Sequence, residues 1–505
     1  MDISQAKEQI RKTCIAYLTK DEFGDYAVPV ETQRPIFLVG APGIGKTAIM
    51  AQVADELGLG LVDYSMTHHT RQSAIGLPFI EQRDFGGISY PISEYTMSEI
   101  IASVYECIER TGKREGILFL DEVNCVSETL APAMLRFLQS KSFGNHRVPD
   151  GWVVVTAGNP GEYNKSARTF DIATLDRVKR IEVEPDYHAW REYAVNAGVF
   201  PAVLAYLDLK PDDFYRVEVK GRTRNFVTAR AWMDLSNICR LYEQHGLEID
   251  ADLVRQYVQV PSIAADFVTY LELFAAYSRD YRIADILDGE TDDALRERAE
   301  AAGFDERMAL CGLLADAVAA RAGDVVAVDS KLGLVRAAIV DARNVGAQDK
   351  SDVSAFLSNR ADELEERLQT DALHFRTNAN ARKAQHGAIA TLRGLAAQVK
   401  LQEEPFVSLA NEFNSLLAKQ QKQAANASSA LENALDFVDG AYGQGNEMIA
   451  LLSEVTLNRN VSDLVAAHDC PSYFEHAQAL AIGDRAAALS SRMGKLGEQL
   501  EELNK

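Results

Sequence analysis

Ile36–Val39 is a run of four apolar residues closed by Pro35 on one side and Gly40 on the other. Short apolar runs of this kind predict strands buried on both faces. Leu61–Tyr64, Gly116–Leu120, Trp152–Ala157 and Lys179–Val183 predict further strands. Between them the apolar positions step by three or four, which predicts helices over Ile3–Leu18, Ala48–Leu57, Ser93–Arg110 and Thr129–Gln139, with another ending at Leu175–Arg177. Strands alternating with helices imply a parallel sheet covered on both faces. From Asp186 the pattern is helical only, over 186–198, 200–208, 227–246, 250–258 and 262–287, and from about 291 it stays helical to the end. Val353, Leu357, Ala361, Leu364 and Leu368 form one such stripe, and Ile389, Leu392, Leu395 and Val399 another. No heptad register joins these stripes and no internal repeat is evident, so packed long helices are expected rather than one coiled coil.

Proline sharpens the division. Eleven of the 14 prolines lie at or before Pro211, and only Pro261, Pro405 and Pro471 follow. This separates an α/β part, 1–185, from a helical part at 186–290 and a second at 291–505. Three stretches break the pattern. Thr70–Pro91 is rich in turn residues yet carries Ile75, Leu77, Phe79, Phe85, Ile88 and Tyr90, and reads either as an exposed loop or as one tucked under the sheet. KQQKQAANASSA (419–430) reads as a linker or solvated helix, and GAYGQG (440–445) as a loop or hinge. Acidic ELEER (363–367) reads as a solvated helix face.

Composition narrows the function classes. The chain has 505 residues, is 47% hydrophobic and 25% charged, and carries a net charge of −22. That acidity argues against broad binding to a nucleic-acid backbone and favours a protein partner. No run approaches the roughly 18 apolar residues of a membrane span. The first residues lack the apolar core of a secretory signal, so a cytoplasmic protein is expected. The six cysteines are scattered without a C-x-x-C pair, as expected of reduced thiols. His68 and His69 are adjacent, would face opposite ways on a strand and have no evident third ligand, which makes a metal site there unexpected.

The chemistry begins where the first strand ends. Gly40, Ala41, Pro42, Gly43, Ile44, Gly45, Lys46 and Thr47 have G-x-x-x-x-G-K-T spacing between a strand and a helix, the context of a phosphate-binding loop. Glycines let successive N–H groups turn towards phosphate oxygens, and the helix N-terminus adds partial positive charge. Lys46 is placed to reach the β- and γ-phosphates, and Thr47 to offer its hydroxyl to Mg²⁺. Ile117–Leu120 then runs into Asp121 and Glu122. Asp121 at that strand tip would stand beside the metal, and Glu122 would orient and activate water. Asn159 ends the strand of WVVVTAGNP, where its side chain could bridge that water and the acid.

The ordered segments GAPGIGKT, ILFLDEVN, RFLQSKSFGNHRVPDGWVVVTAGNP, TLDRVKRIEV and VTARAWMDLS resemble an AAA+ ATPase of the MoxR branch, and are similar to the dynein-related AAA subfamily. The resemblance covers about 30–290. It implies an αβα AAA+ P-loop NTPase core, a helical lid and, after them, the long helical C-terminal region. It implies ATP and Mg²⁺ as cofactors, a ring of copies that is usually a hexamer, and a chaperone-like role towards a protein client, in this family often one bearing a von Willebrand factor A domain. By the same resemblance Asn159 takes the place of sensor 1. Arg177 takes that of the arginine finger that reaches a neighbouring subunit's nucleotide, with Arg180 as a nearby competitor. Arg230 takes that of sensor 2, with Arg222 and Arg224 as competitors and Ala229 where proline is common. Thr70–Pro91 overlaps an insert that lines the family's central pore, although Ala74 lacks the acid of its pattern. Trp190 and Trp232 are expected in the core of the lid. Two further readings stand beside the remodelling ATPase: a nucleotide-gated scaffold with little turnover, and a DNA-linked AAA+ motor.

Overall fold

The computed structural model describes residues 1–479 apart from 69–71, 73, 75, 144, 164–166, 221–222, 346–348 and 374–378. The chain forms two compact units. One comprises Met1–Arg191 and Pro211–Ala264, the other Glu192–Lys210 and Ala265 onwards. The 186–290 segment is therefore shared between them.

The first unit is built on five parallel strands: β1 (Ile36–Gly40), β2 (Gly60–Ser65), β5 (Gly116–Asp121), β8 (Trp152–Gly158) and β9 (Lys179–Val183), in the order β2-β5-β8-β1-β9. The apolar runs that predicted strands are apolar on alternate residues for two different partners. Ile36, Leu38, Ile117, Phe119, Val153 and Val155 pack with helices α1 (Ile3–Leu18) and α2 (Lys46–Glu56). Phe37, Leu118, Leu120 and Val154 pack with α3 (Glu99–Thr111) and α4 (Ala131–Ser140) on the other face. Helix α1 is capped by Asp2, which accepts from Gln5 N–H at 2.8 Å.

Trp152 sets the spacing at the start of the sheet. Its ring lies over Gly60 and Gly116, and a Cβ on Gly116 would stand 2.6 Å from the ring and 2.8 Å from the carbonyl of Gly60. Neither the ring nor the strand backbone can withdraw from a fully packed core. Gly116→Ala is expected to cost about 1–3 kcal/mol, read as a lowered midpoint in thermal or denaturant unfolding.

The stretch 70–91 departs from its expected loop. Pro78–Phe85 (β3) and Ile88–Tyr95 (β4) form an antiparallel ribbon closed by Gly86 and Gly87, both at positive φ, the two-residue turn that matches strand twist. Leu77, Phe79, Ile80, Phe85, Ile88 and Tyr90 are exposed, so 77–91 is not tucked under the sheet, whereas Ala74 is buried against it and Ile75 lies outside the described residues. The helix expected from Ser93 begins at Glu99, because Ser93, Glu94 and Tyr95 pair with Ile80, Phe79 and Pro78. Pro91 is tolerated because a two-stranded ribbon has outer edges that need no ladder donor. Two more ribbons were not expected: Ser142–Phe143 with His146–Arg147 (β6, β7), and Arg216–Lys220 with Thr223–Val227 (β10, β11). Ile172–Leu175 (α5) ends two residues before Arg177. Ala229–His245 (α8) follows β11 and is capped by Thr228. Tyr187–Ala197 (α6) and Pro201–Leu209 (α7) precede β10, and Ala251–Tyr257 (α9) follows α8. Trp190 and Trp232 are buried as expected, with Trp232 Nε1 donating to the carbonyls of Asp213 and Phe214.

The second unit is helical. Phe304–Asn344 and Pro405–Tyr442 are its longest helices, at 41 and 38 residues. They run through two cores. One gathers Leu310, Leu314, Val318, Leu431, Leu435 and Val438 with the helices Asn446–Leu457, Arg459–Ala467 and Pro471–Ala479. The other gathers Val335 and Ala338 with the predicted stripes of Lys350–Leu373 and Ala379–Val399. The polar tract 419–430 is helix with a buried face of Gln420, Ala424, Ala427 and Ser428, whose small side chains let neighbouring helices approach closely. The helix ends inside the glycine break, capped by Gly443 at φ 66°. In ELEER, Leu364 is buried, while Glu363 pairs with Arg360 at 2.7 Å and Glu365 with Arg393 at 2.6 Å. No helix among the described residues is long and apolar enough to cross a membrane.

Candidate nucleotide site

The sheet order brings the C-terminal ends of β5, β8 and β1 side by side, where ligands of open α/β sheets bind. After Gly40 the chain turns through Gly43 and Gly45, at φ 74° and 96°, values that exclude most side chains. Helix α2 starts at Lys46. Among the described residues, the N–H groups of Gly43, Ile44, Gly45, Lys46 and Thr47 have no protein acceptor. They stand at a helix N-terminus, which favours an anion.

Lys46 is buried and its Nζ donates to three oxygens: the carbonyls of Gly40 and Ala41 at 2.9 and 2.8 Å, and Oδ1 of Asn159 at 3.0 Å. The phosphate-loop lysine and the polar tip of β8 are thus in direct contact. Thr47 Oγ1 donates to Asp121 Oδ2 at 3.3 Å, so the hydroxyl and the carboxylate proposed for a metal also meet. Glu122 follows in left-handed backbone, at φ 57°, and its N–H donates to Asp121 Oδ1 at 2.8 Å. Such a conformation is uncommon for glutamate and is held here by the hydrogen bond to its neighbour.

Burial pulls Lys46 down to about 8. Asp121 and Glu122 oppose that pull, and Arg230 adds to it. Below about pH 8 the ammonium is charged and ready for phosphate, while above it the free protein must take up a proton to bind. Nucleotide affinity is expected to be flat below about pH 7 and to weaken towards tenfold per pH unit above about pH 8. Equilibrium titration of a fluorescent nucleotide at constant ionic strength reads this.

The start of α8 closes over the loop. Arg230 N–H donates to the Gly43 carbonyl at 3.1 Å, and a Cβ on Gly43 would stand 2.9 Å from Thr228 Oγ1. Arg230 is exposed, at the loop and close enough to influence Lys46. Its competitor Arg224 lies on β11, and Arg222 lies outside the described residues. Arg177 is exposed just beyond α5 and has no ion pair among the described residues. Arg180 sits on β9 and is engaged by Glu182.

Two residues without a sequence signal also touch this site. Tyr215 donates to the Pro42 carbonyl at 3.2 Å. Asn124, buried beneath the Asp121–Glu122 turn, donates to the Asn159 carbonyl at 2.8 Å. Asn124 closes the segment ILFLDEVN, but nothing in the sequence marks its partner or that of Tyr215, because each is paired through the fold. Elsewhere, all six cysteines are free thiols, and no group of three or more histidine, cysteine or acidic side chains suited to a metal occurs among the described residues. His69 and the side chain of His68 lie outside the described residues.

The donor set fits a nucleotide polyphosphate with a divalent cation: free backbone N–H groups and an ammonium for phosphate, and a hydroxyl beside a carboxylate for the metal. A search of curated proteins finds no match to the chain. Against protein-family models, residues 36–180 match the ATPase family associated with various cellular activities (AAA). That span opens on β1 and closes within β9, so it takes in the phosphate loop, the acidic pair, Asn159 and Arg177. The chain therefore carries an AAA domain of the ATPase class, with a parallel five-stranded sheet flanked by helices and a long helical region after it.

Proposed function

We propose that this chain hydrolyses ATP with Mg²⁺ in an assembly of its own copies and uses the cycle to remodel a protein partner, as the resemblance to the MoxR branch implies. The observation that carries the reading is the contact of Lys46 Nζ with Asn159 Oδ1 at 3.0 Å beside the Thr47–Asp121 pair. It joins three separate sequence motifs in one polar cluster at the strand tips.

Magnesium, when bound, would supply positive charge that offsets the charge of the phosphates. Thr47 and Asp121 are the residues that would hold it. The loop N–H groups and Lys46 bind and orient phosphate. Glu122 accepts the proton of the attacking water, and Asn159 holds that water in line. Arg230 stands against the loop from α8 and faces phosphate from the lid side. Arg177, exposed and in no salt bridge among the described residues, serves the nucleotide of an adjacent copy, where a guanidinium stabilises charge developing on the γ-phosphate.

The exposed ribbon β3–β4 is the surface offered to a client. Its apolar tip, Phe85 and Ile88, is 57% and 58% exposed, and the pair is joined across the turn, so the two form one patch rather than scattered residues. Phe85→Ser with Ile88→Ser is expected to leave the thermal midpoint within about 1 °C, since surface changes are nearly neutral. The same pair, placed in a Glu122→Gln trap, is expected to lose the proteins that the trap retains in a pull-down.

Steady-state phosphate release with and without Mg²⁺ tests the reading. Magnesium-dependent turnover supports it. Nucleotide binding with negligible turnover would instead favour the nucleotide-gated scaffold, and stimulation by DNA at physiological salt would favour the DNA-linked motor.

A further inference from the structure

Asn124 links the hydrolytic loop to two other segments at once. It lies in the single 3-10 turn Val123–Cys125 that follows Glu122, and is only 6% exposed. Its Nδ2 donates to the Asn159 carbonyl at 2.8 Å and lies 3.5 Å from the Arg168 carbonyl. Both neighbours are acceptors, which fixes the amide orientation. Its own carbonyl accepts from Arg168 N–H at 2.9 Å. Its Oδ1 is pressed against Gly158, where an added Cβ would stand 2.5 Å away.

The segment after Arg168 leads to Arg177 through short, fixed steps. Phe170 packs on Phe37 of β1 with ring centroids 4.9 Å apart. Asp171 caps α5 by accepting from Thr174 N–H at 2.8 Å. Arg177 N–H donates to the Thr174 carbonyl at 3.1 Å. One buried amide therefore joins the backbone of Asn159 to the base of the segment that presents Arg177. An amide that loses a buried partner destabilises the arrangement that satisfied it, so movement of either segment is transmitted to the other.

We propose that Asn124 is a positioning residue that couples a chain's own Asn159 to the Arg177 it offers to the adjacent copy. This rests on the assignment of Arg177 as the residue that completes a neighbouring site. Coupling of this kind lets the state of one site set the readiness of the next.

The test is Asn124→Asp, which keeps the size and removes the Nδ2 donor, measured in the full chain with Arg177 and with Arg177→Ala. With Arg177 present, kcat is expected to fall roughly 10- to 100-fold, the scale of a misplaced catalytic group. KM and the Kd for a fluorescent nucleotide are expected to stay within about twofold, because the phosphate loop is untouched. With Arg177→Ala, followed by long-incubation phosphate release, the further loss is expected to be less than about twofold, since the two changes disable one route. Equal losses in both backgrounds would overturn the coupling and leave Asn124 acting on its own site alone. A changed Kd with unchanged kcat would overturn it as well. Normal turnover by Arg177→Ala alone would overturn the assignment of Arg177, and the coupling with it. If Asn124→Asp does not bind nucleotide, Gly158→Ala makes the same comparison, because its Cβ displaces the Asn124 amide from the other side. The same non-additive pattern is expected from it, and additive losses would again overturn the coupling.

Discussion

Glu122→Gln is expected to abolish ATP turnover while ATP stays bound. Glutamine keeps the size of the side chain and loses its ability to accept a proton. The Glu122 backbone is held at φ 57° by its N–H bond to Asp121, a contact that the substitution leaves in place. The loop N–H groups, Lys46 and Thr47 are equally untouched. A general base contributes about 10²- to 10⁴-fold, and kcat should fall on that scale. Phosphate release measures the loss, and nucleotide titration shows that binding survives. Lys46→Ala should behave in the opposite way and lose binding itself. It removes the only ammonium in the loop and leaves the carbonyls of Gly40 and Ala41 and the Asn159 amide without their shared donor.

Arg177→Ala carries the second large effect. Arginine supplied to a phosphoryl-transfer site contributes about 10³- to 10⁵-fold in known cases. The side chain is exposed and in no salt bridge among the described residues, and its charge acts only weakly on the fully exposed Asp171, so its removal disturbs little inside the chain. Nucleotide affinity and the thermal midpoint should therefore remain close to those of the unaltered chain. Arg180→Ala is the control. That arginine is already engaged by Glu182 on the same strand, and its loss should change kcat far less. Measuring kcat for both variants separates the two arginines, which adjacency in the sequence could not do.

The parts of the fold that were legible in the sequence are those whose signal is local. Buried strands such as Ile36–Val39 and Gly116–Leu120 are apolar throughout because both sheet faces are covered. The phosphate loop needs glycine at fixed backbone angles, so its spacing survives as a motif. Long-range pairing left weaker marks. The ribbon Pro78–Tyr95 is exposed on both faces and lacks a clean alternation, so its residues resembled a loop running into a helix. The tract 419–430 looked solvated because its buried face is made of alanine, serine and glutamine. In the site, residues that act through charge were visible by type, whereas Tyr215 and Asn124 act through hydrogen bonds to backbone groups across the fold. Such bonds depend on topology, and no spacing along the chain encodes them.

Mixing two variants tests most directly whether Arg177 of another copy completes the site begun by Lys46. Lys46→Ala chains keep Arg177 but cannot hold nucleotide. Arg177→Ala chains hold nucleotide but cannot complete a neighbour's site. Each alone should show negligible phosphate release. An equimolar mixture allowed to reassemble should recover about a quarter of the unaltered rate, because in a head-to-tail assembly roughly one contact in four places an intact loop against an intact arginine. A mixture no more active than its two components would contradict the account.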